Sequence, residues 1–235
     1  MSVTFSEYKL LDKVDLGSLE AISEAFDISK VDALKKREDV LKTLKTIDSG
    51  IVDIKDYKVF SNVEQLTFAQ FISIESSMQS VRDPYGLIIM VVSELLRPLS
   101  EEVYSNDNEG MNKAHRLSLL EAPAENIIVT FANFMEDREN FHYKKYKDVF
   151  LFSPEEDDED TPETHQENNF YRNWHWYSYI RELSGEDITR YEEIMLLRMD
   201  LVAPEISYRQ GLAKVRKQEE AERKAVSTAR SNSRR

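Results

Sequence analysis

The stretch from 83 to 98, DPYGLIIMVVSELLRP, decides the fold. Asp83 is suited to cap a helix that begins at Pro84, because aspartate accepts from free N–H groups and proline has none to satisfy. Leu87 to Leu96 is apolar on nearly every face of that helix, which is typical of a helix buried on all sides. The residue before a proline avoids the α region, so the helix is predicted to end at Arg97-Pro98.

Helix signals continue on both sides of this stretch. Thr67 and Gln70 form a capping box that opens the preceding helix. Further helices are predicted over 18–26, 31–47 and 111–120, and from Pro123 toward Phe150. The first dozen residues alternate loosely and predict a short strand or an arm. Six glycines and six prolines among 235 residues leave few turn signals, so the predicted fold class is mostly α.

Aromatic residues concentrate in a short segment near the C-terminal end. On a predicted helix, Trp174 and Tyr177 share one face and Trp176 another, and we expect Trp174 inward and Trp176 outward. Ser184-Gly185 ends this helix. Thr189 and Glu192 predict a second capping box, and Pro204 is predicted to begin a last helix that becomes polar after Leu212.

The distribution of charge predicts how the chain is divided. The formal net charge is −13, and residues 153–167 carry only acidic formal charges and almost nothing apolar. Such a segment cannot offset its own ordering entropy, so it is predicted to be a linker. The predicted layout is a helical main domain at 1–152, an acidic linker at 153–167, an aromatic-rich helical unit at 168–225 and a disordered tail at 226–235.

Known catalytic and cofactor-binding patterns are missing from the sequence. The chain has no cysteine, and it contains no Gly-x-Ser-x-Gly elbow, Walker loop or Gly-x-Gly-x-x-Gly turn. Glu139 and His142 form one Glu-x-x-His motif, whereas a di-iron bundle needs two such motifs and two more carboxylates. We therefore predict no enzyme activity, no catalytic or metal-binding residues and no cofactor.

The sequence also bears on location. Met1 to Leu11 has no basic region followed by an apolar run, and the longest apolar stretch, Leu87 to Val92, is far shorter than the roughly 20 residues of a membrane span. We expect a protein of the cytoplasm with no membrane partner.

Several short strings, in this order, resemble a known family. The sequence has Leu66-Thr67-Phe68-Ala69-Gln70-Phe71, then Ile88 to Pro98, then Tyr104 with an acidic loop, Phe131 and Phe134, Trp174-His175-Trp176, and Gly185 to Glu193. Between Leu66 and Tyr208 this layout is similar to tail assembly chaperones and related virion-assembly proteins of tailed bacteriophages. The resemblance implies a helical, non-enzymatic morphogenesis protein of the host cytoplasm that binds the tape-measure chain or another tail or neck component.

Aromatic residues dominate binding hot spots, so the aromatic segment is the predicted contact with a partner protein. The alternative for these residues is that they complete the core of the C-terminal unit. Self-association is left open. The predicted partner-binding residues are Tyr171, Trp174, Trp176, Tyr177 and Tyr179.

Three other functions compete with the chaperone prediction. The chain could be a stoichiometric virion component, such as a neck, connector or baseplate ring protein. It could be a metal-dependent enzyme with a carboxylate site, although acid pairs arise by chance in so acidic a chain. It could bind nucleic acid through its basic C-terminal stretch, but Glu219, Glu220 and Glu222 interrupt that stretch, so nucleic acid is not expected.

The predicted linker can be tested by limited proteolysis. Protease should cut first between 153 and 167 and release two helical fragments, because like charges repel there and no apolar anchor holds the chain. Strong protection of this stretch in the isolated protein would contradict the predicted layout.

Overall fold

The computed structural model describes residues 3–11, 14, 16, 18–50, 54, 57–100, 109–150 and 175–232. Over these residues the protein is mostly α-helical, as the sequence predicts. Contacts divide the chain into two compact units, Met1–Arg138 and Glu139–Arg235. The segment 153–167 lies outside the described residues, so the predicted linker and the domain limits around it stay predictions.

The described part of the first unit is helical apart from one pair of short strands. Its elements are α1 (Phe5–Tyr8), α2 (Leu19–Ala25), α3 (Lys30–Ser49), β1 (Tyr57–Val59), a 3-10 turn (Val63–Gln65), α4 (Phe68–Ser80), α5 (Pro84–Leu95), β2 (Leu96–Pro98), α6 (Glu109–Leu120) and most of α7 (Ala124–Asn140).

Helix α5 forms as the sequence predicts. The Asp83 carboxylate accepts from the Gly86 N–H at 2.8 Å, and Pro84 occupies the first turn. The apolar residues from Ile89 to Leu95 are buried, apart from half-buried Met90. The helix stops at Leu95, and the extended backbone required before Pro98 becomes β2.

Strand β2 pairs with β1 in an antiparallel ladder that places Val59 opposite Leu96. Directly after β1, the Phe60 N–H donates to the Leu95 carbonyl at 2.8 Å. The segment between α3 and α4 is thereby attached to the end of α5.

Because α5 ends inside the core, its last carbonyls need donors from elsewhere in the chain. Buried Gln70 on α4 donates its side-chain Nε2–H to the Glu94 carbonyl at 2.9 Å. Buried His115 on α6 places Nε2 at 2.6 Å from the Leu96 carbonyl. Since a carbonyl oxygen can only accept, His115 Nε2 carries the proton.

Arg97 also supports this helix end from within the core. It is 4% exposed, and its guanidinium donates to the Ser93 carbonyl at 3.1 Å and to Asn112 Oδ1 on α6 at 2.9 Å. The carboxylate of buried Glu94 lies 4.0 Å away. The charge on Arg97 is therefore balanced and hydrogen-bonded where water cannot reach it.

A second ion pair, between buried Glu75 and half-buried Arg138, joins α4 to α7. Arg138 donates Nε–H and Nη2–H to the two carboxylate oxygens of Glu75, at 2.6 and 2.7 Å. Asp137, the residue before Arg138, accepts from the Val63 N–H at 2.8 Å. These bonds fix the 3-10 turn and α4 against the same stretch of α7.

The N-terminal segment differs from the predicted strand or arm. Thr4 and Glu7 form a capping box that opens the short helix α1. Around it, the Phe5 N–H donates to the Ala122 carbonyl at 2.9 Å, and the Ala124 N–H donates to the Val3 carbonyl at 2.8 Å. Phe5 is thereby buried in the core of the first unit, against residues of α5, α6 and α7.

The second unit continues from the last residues of α7. Its described elements are a π-helical turn (Phe141–Lys145), α8 (Lys147–Phe150), α9 (175–183), a 3-10 turn (Ile188–Arg190), α10 (Tyr191–Met195) and α11 (Met199–Asn232). Gly185, at a φ of +68°, ends the turn after α9 at the position that the sequence predicts. Among the described helices, none is long and apolar enough to cross a membrane.

Two predicted details of the second unit are wrong. Thr189 does not cap the following helix, because Asp187 accepts from both the Thr189 N–H at 2.9 Å and its hydroxyl at 2.7 Å. Pro204 does not begin the last helix but lies inside α11. The helix begins at Met199 because its first turns bury Met199, Val202, Ala203 and Ile206 along one face.

The C-terminal end also differs from the predicted disordered tail at 226–235. Helix α11 continues through Asn232. No glycine or proline follows Gly211, so the sequence offers no stop signal there.

The buried position of α5 gives a test of the core. Replacing Leu95, which is fully buried, with alanine should cost about 2–5 kcal/mol of the free energy of unfolding, because the cavity cannot be refilled. Denaturant unfolding of the full chain measures this loss. Leu117→Ala, at an exposed position on α6, is the matched control and should change stability little. Equal effects of the two substitutions would contradict the assigned core.

Candidate partner-binding site

The π-helical turn at the end of α7 starts the aromatic core of the second unit. The Tyr146 N–H bonds to the Phe141 carbonyl five residues earlier at 2.9 Å, which widens the turn. The consecutive side chains of Phe141 and His142 are both buried as a result. Phe150 on α8 then stacks on His142, with ring centroids 4.3 Å apart and an interplanar angle of 7°.

Helix α9 adds its aromatic residues to this core. Trp176 lies against Phe150, with ring centroids 6.1 Å apart. His175 meets both Trp176 and Tyr179 edge to face, at 4.7 Å in each case. Tyr179 and Ile180 are nearly buried. These rings form a continuous aromatic cluster, consisting of Phe141, His142, Tyr146, Phe150, His175, Trp176 and Tyr179.

Helix α11 completes the cluster. It packs against α8, and Gln210 donates its side-chain N–H to the Tyr179 hydroxyl at 2.7 Å. Burial, together with the nearby Glu182 carboxylate, raises the pKa of Tyr179 to about 12. The Tyr179 phenol is therefore held as a neutral structural group at physiological pH.

The structure separates the predicted partner-binding residues. Tyr171 and Trp174 lie outside the described residues. Trp176 is half-buried and Tyr179 almost wholly buried within the aromatic cluster, whereas Tyr177 is exposed. Trp176, which is predicted to face outward, instead packs on Phe150, while the predicted inward position of Trp174 stays a prediction.

Tyr177 belongs to an exposed apolar patch. Its ring meets that of Tyr191 edge to face at 5.7 Å, and the Tyr191 hydroxyl lies 3.5 Å from the Tyr177 hydroxyl. This hydrogen bond raises the pKa of Tyr191. Ile188, three residues before Tyr191, is 71% exposed. We call these three side chains, Tyr177, Ile188 and Tyr191, the tyrosine patch.

Charged side chains surround the tyrosine patch. Arg181, one turn after Tyr177, pairs with Glu186 at 3.2 Å, and Arg190 pairs with Glu193 at 3.2 Å. All four carry exposed, solvated charges. An apolar aromatic centre with a polar rim is the usual anatomy of a protein-binding surface.

Sequence analysis missed Ile188 and Tyr191. Asp187 could have indicated these two residues, because aspartate is a typical N-cap. A cap at Asp187 makes the following residues helical, so Ile188 and Tyr191, which are three residues apart, lie on the same face.

The buried carboxylates Glu75 and Glu94 belong to the first unit, and each has an arginine partner. Glu75 is bound by Arg138, and Glu94 accepts from the Ser73 hydroxyl at 3.1 Å with Arg97 nearby. Within the ranges that the structure describes, no three histidine or acidic side chains are grouped as metal ligands would be. The candidate site is the exposed aromatic surface of the second unit, the tyrosine patch.

Comparison with known proteins adds no relative: no protein-family model, curated protein or solved structure matches this chain.

The pKa of His175 predicts how the site responds to pH. Burial among aromatic rings lowers this pKa below its ordinary value of about 6.5, so the unfolded state binds the proton more readily. Neutral His175 therefore stabilises the folded state above pH 6.5, and this stabilisation is lost as the pH falls toward the lowered pKa of His175. Hydrogen exchange in 175–183 should therefore accelerate between pH 7.5 and 5.5, after correction for intrinsic rates. His175→Gln should flatten this dependence, and an unchanged dependence in that variant would contradict the assignment.

Proposed function

We propose that this chain is a non-enzymatic bacteriophage morphogenesis protein, similar to tail assembly chaperones, that binds a tape-measure or other tail protein during assembly. The tyrosine patch is the observation that carries the binding role. Tyr177 and Tyr191 present large apolar rings at low cost in side-chain entropy, and each also carries a hydroxyl able to hydrogen-bond. The resemblance in the order of elements between Leu66 and Tyr208 supports the choice of partner.

The chemistry of the patch favours a helical, largely apolar client. A tape-measure chain is expected to expose apolar helical faces until the tail polymerises around it, and such faces need cover in water. Ile188 and the two tyrosines would cover a stretch of client about two helical turns long, while the rim pairs orient it. The net charge of −13 would help to keep the complex soluble.

The proposal predicts a separation between binding and stability within α9. Tyr177→Ala should weaken client binding by about 2 kcal/mol or more, roughly thirtyfold, because an interface tyrosine is a typical hot spot. The folding stability of the Tyr177→Ala variant should change little, because the Tyr177 ring is exposed. Trp176→Ala should instead lower the melting temperature, because it removes a ring packed on Phe150.

Co-expression with the tape-measure and neighbouring tail proteins of the same genome, followed by affinity measurement, tests this prediction. Tyr143→Ala is the control, because Tyr143 is also an exposed tyrosine of the second unit but lies outside the patch. Full binding by Tyr177→Ala would exclude the patch as the contact. Failure of the wild-type chain to retain any tail component would reject the function itself, and a stoichiometric amount in purified particles would favour a virion component instead.

A further inference from the structure

Helices α5 and α6 meet at a contact between a charged side chain and a sulfur atom. Met90 on α5 is half-buried, whereas every other residue from Ile89 to Leu95 is buried. Arg116 on α6 is also half-buried, and it donates its Nη1–H to Met90 Sδ at 3.1 Å. A thioether sulfur is a weak acceptor, so this guanidinium donates to an atom that returns little stabilisation.

Arg116 has no stronger acceptor in the part of the chain that the structure describes. Its guanidinium makes no other hydrogen bond or ion pair there, and its buried Nε–H has no acceptor there at all. Arginine often lays its stem on apolar surface and keeps its charged head in water. That habit does not account for Arg116, because burying an unpaired N–H costs free energy. The guanidinium therefore lies beside Met90 with donor capacity that the thioether does not use.

Oxidation of Met90 would place a strong acceptor at this position. When hydrogen peroxide transfers one oxygen to the thioether, the Sδ–O bond forms, the O–O bond breaks and the sulfur loses two electrons. The departing hydroxide takes the proton of the transferred oxygen and leaves as water. The sulfoxide oxygen carries a partial negative charge, and the rotatable bonds of methionine let it turn toward Arg116.

We propose that Met90 is an oxidation site, at which a peroxide forms the sulfoxide and Arg116 holds the sulfoxide oxygen. The hydrogen bond from Arg116 Nη1–H to this oxygen is charge-assisted, so it joins α5 to α6 more firmly than the thioether contact does. A methionine sulfoxide ordinarily disrupts a packed core, and the arginine donor beside the sulfur opposes that outcome. Neither residue belongs to the tyrosine patch, so the site does not depend on client binding.

Arg116 should also speed the oxygen transfer. As the O–O bond breaks, negative charge develops on the peroxide oxygens, and Arg116 Nη1–H lies next to the sulfur that they approach. Met135 on α7 is the matched comparison, because it is also half-buried but has no arginine bonded to its sulfur among the described residues. Met90 should therefore be oxidised faster than Met135.

A time course of oxidation of the full chain by hydrogen peroxide tests these rates, since tandem mass spectrometry reports each methionine separately. Arg116→Leu should slow the oxidation of Met90 about tenfold or more, because the donor is lost. Met111, which is 56% exposed, should keep its rate in this variant and serves as the reference. The proposal is overturned if Met90 is no faster than Met135 in the wild-type chain, or if Arg116→Leu leaves the Met90 rate unchanged or raises it.

Denaturant unfolding before and after oxidation tests whether Arg116 holds the sulfoxide. Met90→Leu, made in both the wild-type and the Arg116→Leu backgrounds, subtracts the effect of the other methionines, because leucine nearly conserves the volume of methionine. Oxidation of Met90 should raise the unfolding equilibrium constant of Arg116→Leu by at least about tenfold more than that of the wild-type chain, since the charge-assisted bond is lost. Circular dichroism checks that each reduced variant folds. Equal effects of oxidation with and without Arg116 would overturn the proposal.

Discussion

The first unit depends on one constraint, which is that an apolar helix ends inside the core. Pro98 forces the chain out of the α conformation directly after α5, where surrounding residues exclude water. The carbonyls left at that end must be bonded, and the chain bonds them with Gln70 of α4, His115 of α6 and the backbone that follows β1. Each donor arrives from a different element, so satisfying one helix end fixes the positions of its neighbours.

The second unit is organised by a wide turn rather than by a helix end. The π-helical turn buries Phe141 and His142 in succession and gives α8 the position from which Phe150 meets Trp176. Once Trp176 and Tyr179 turn inward, the geometry of a helix leaves Tyr177 on the opposite side, where it pairs with Tyr191. The candidate binding surface is thus what remains after the aromatic cluster has formed.

These two units show which features could be predicted from the sequence. The start of helix α5 is determined locally, by Asp83 and Pro84, so the sequence predicts it correctly. The helix ends at Leu95, before the predicted Arg97-Pro98, because Leu96 to Pro98 pair with β1. The inward face of α9 depends on Phe150, whose position follows from a π-helical turn that no periodicity reveals. The wrong cap at Thr189 has a similar cause: Asp187 and Thr189 are both suitable caps, and only the folded backbone selects between them.

Fewer residue types can occupy position 70 than the capping box alone would allow. A capping box accepts glutamate as readily as glutamine at its third helical position, and Gln70 Oε1 indeed accepts from the Thr67 N–H at 3.0 Å. The Nε2 group of the same amide, however, donates to the Glu94 carbonyl in the core. A carboxylate there would set one acceptor against another and bury an uncompensated charge. Descendants of this sequence can therefore exchange Thr67 for serine, but they have no equivalent exchange for the amide.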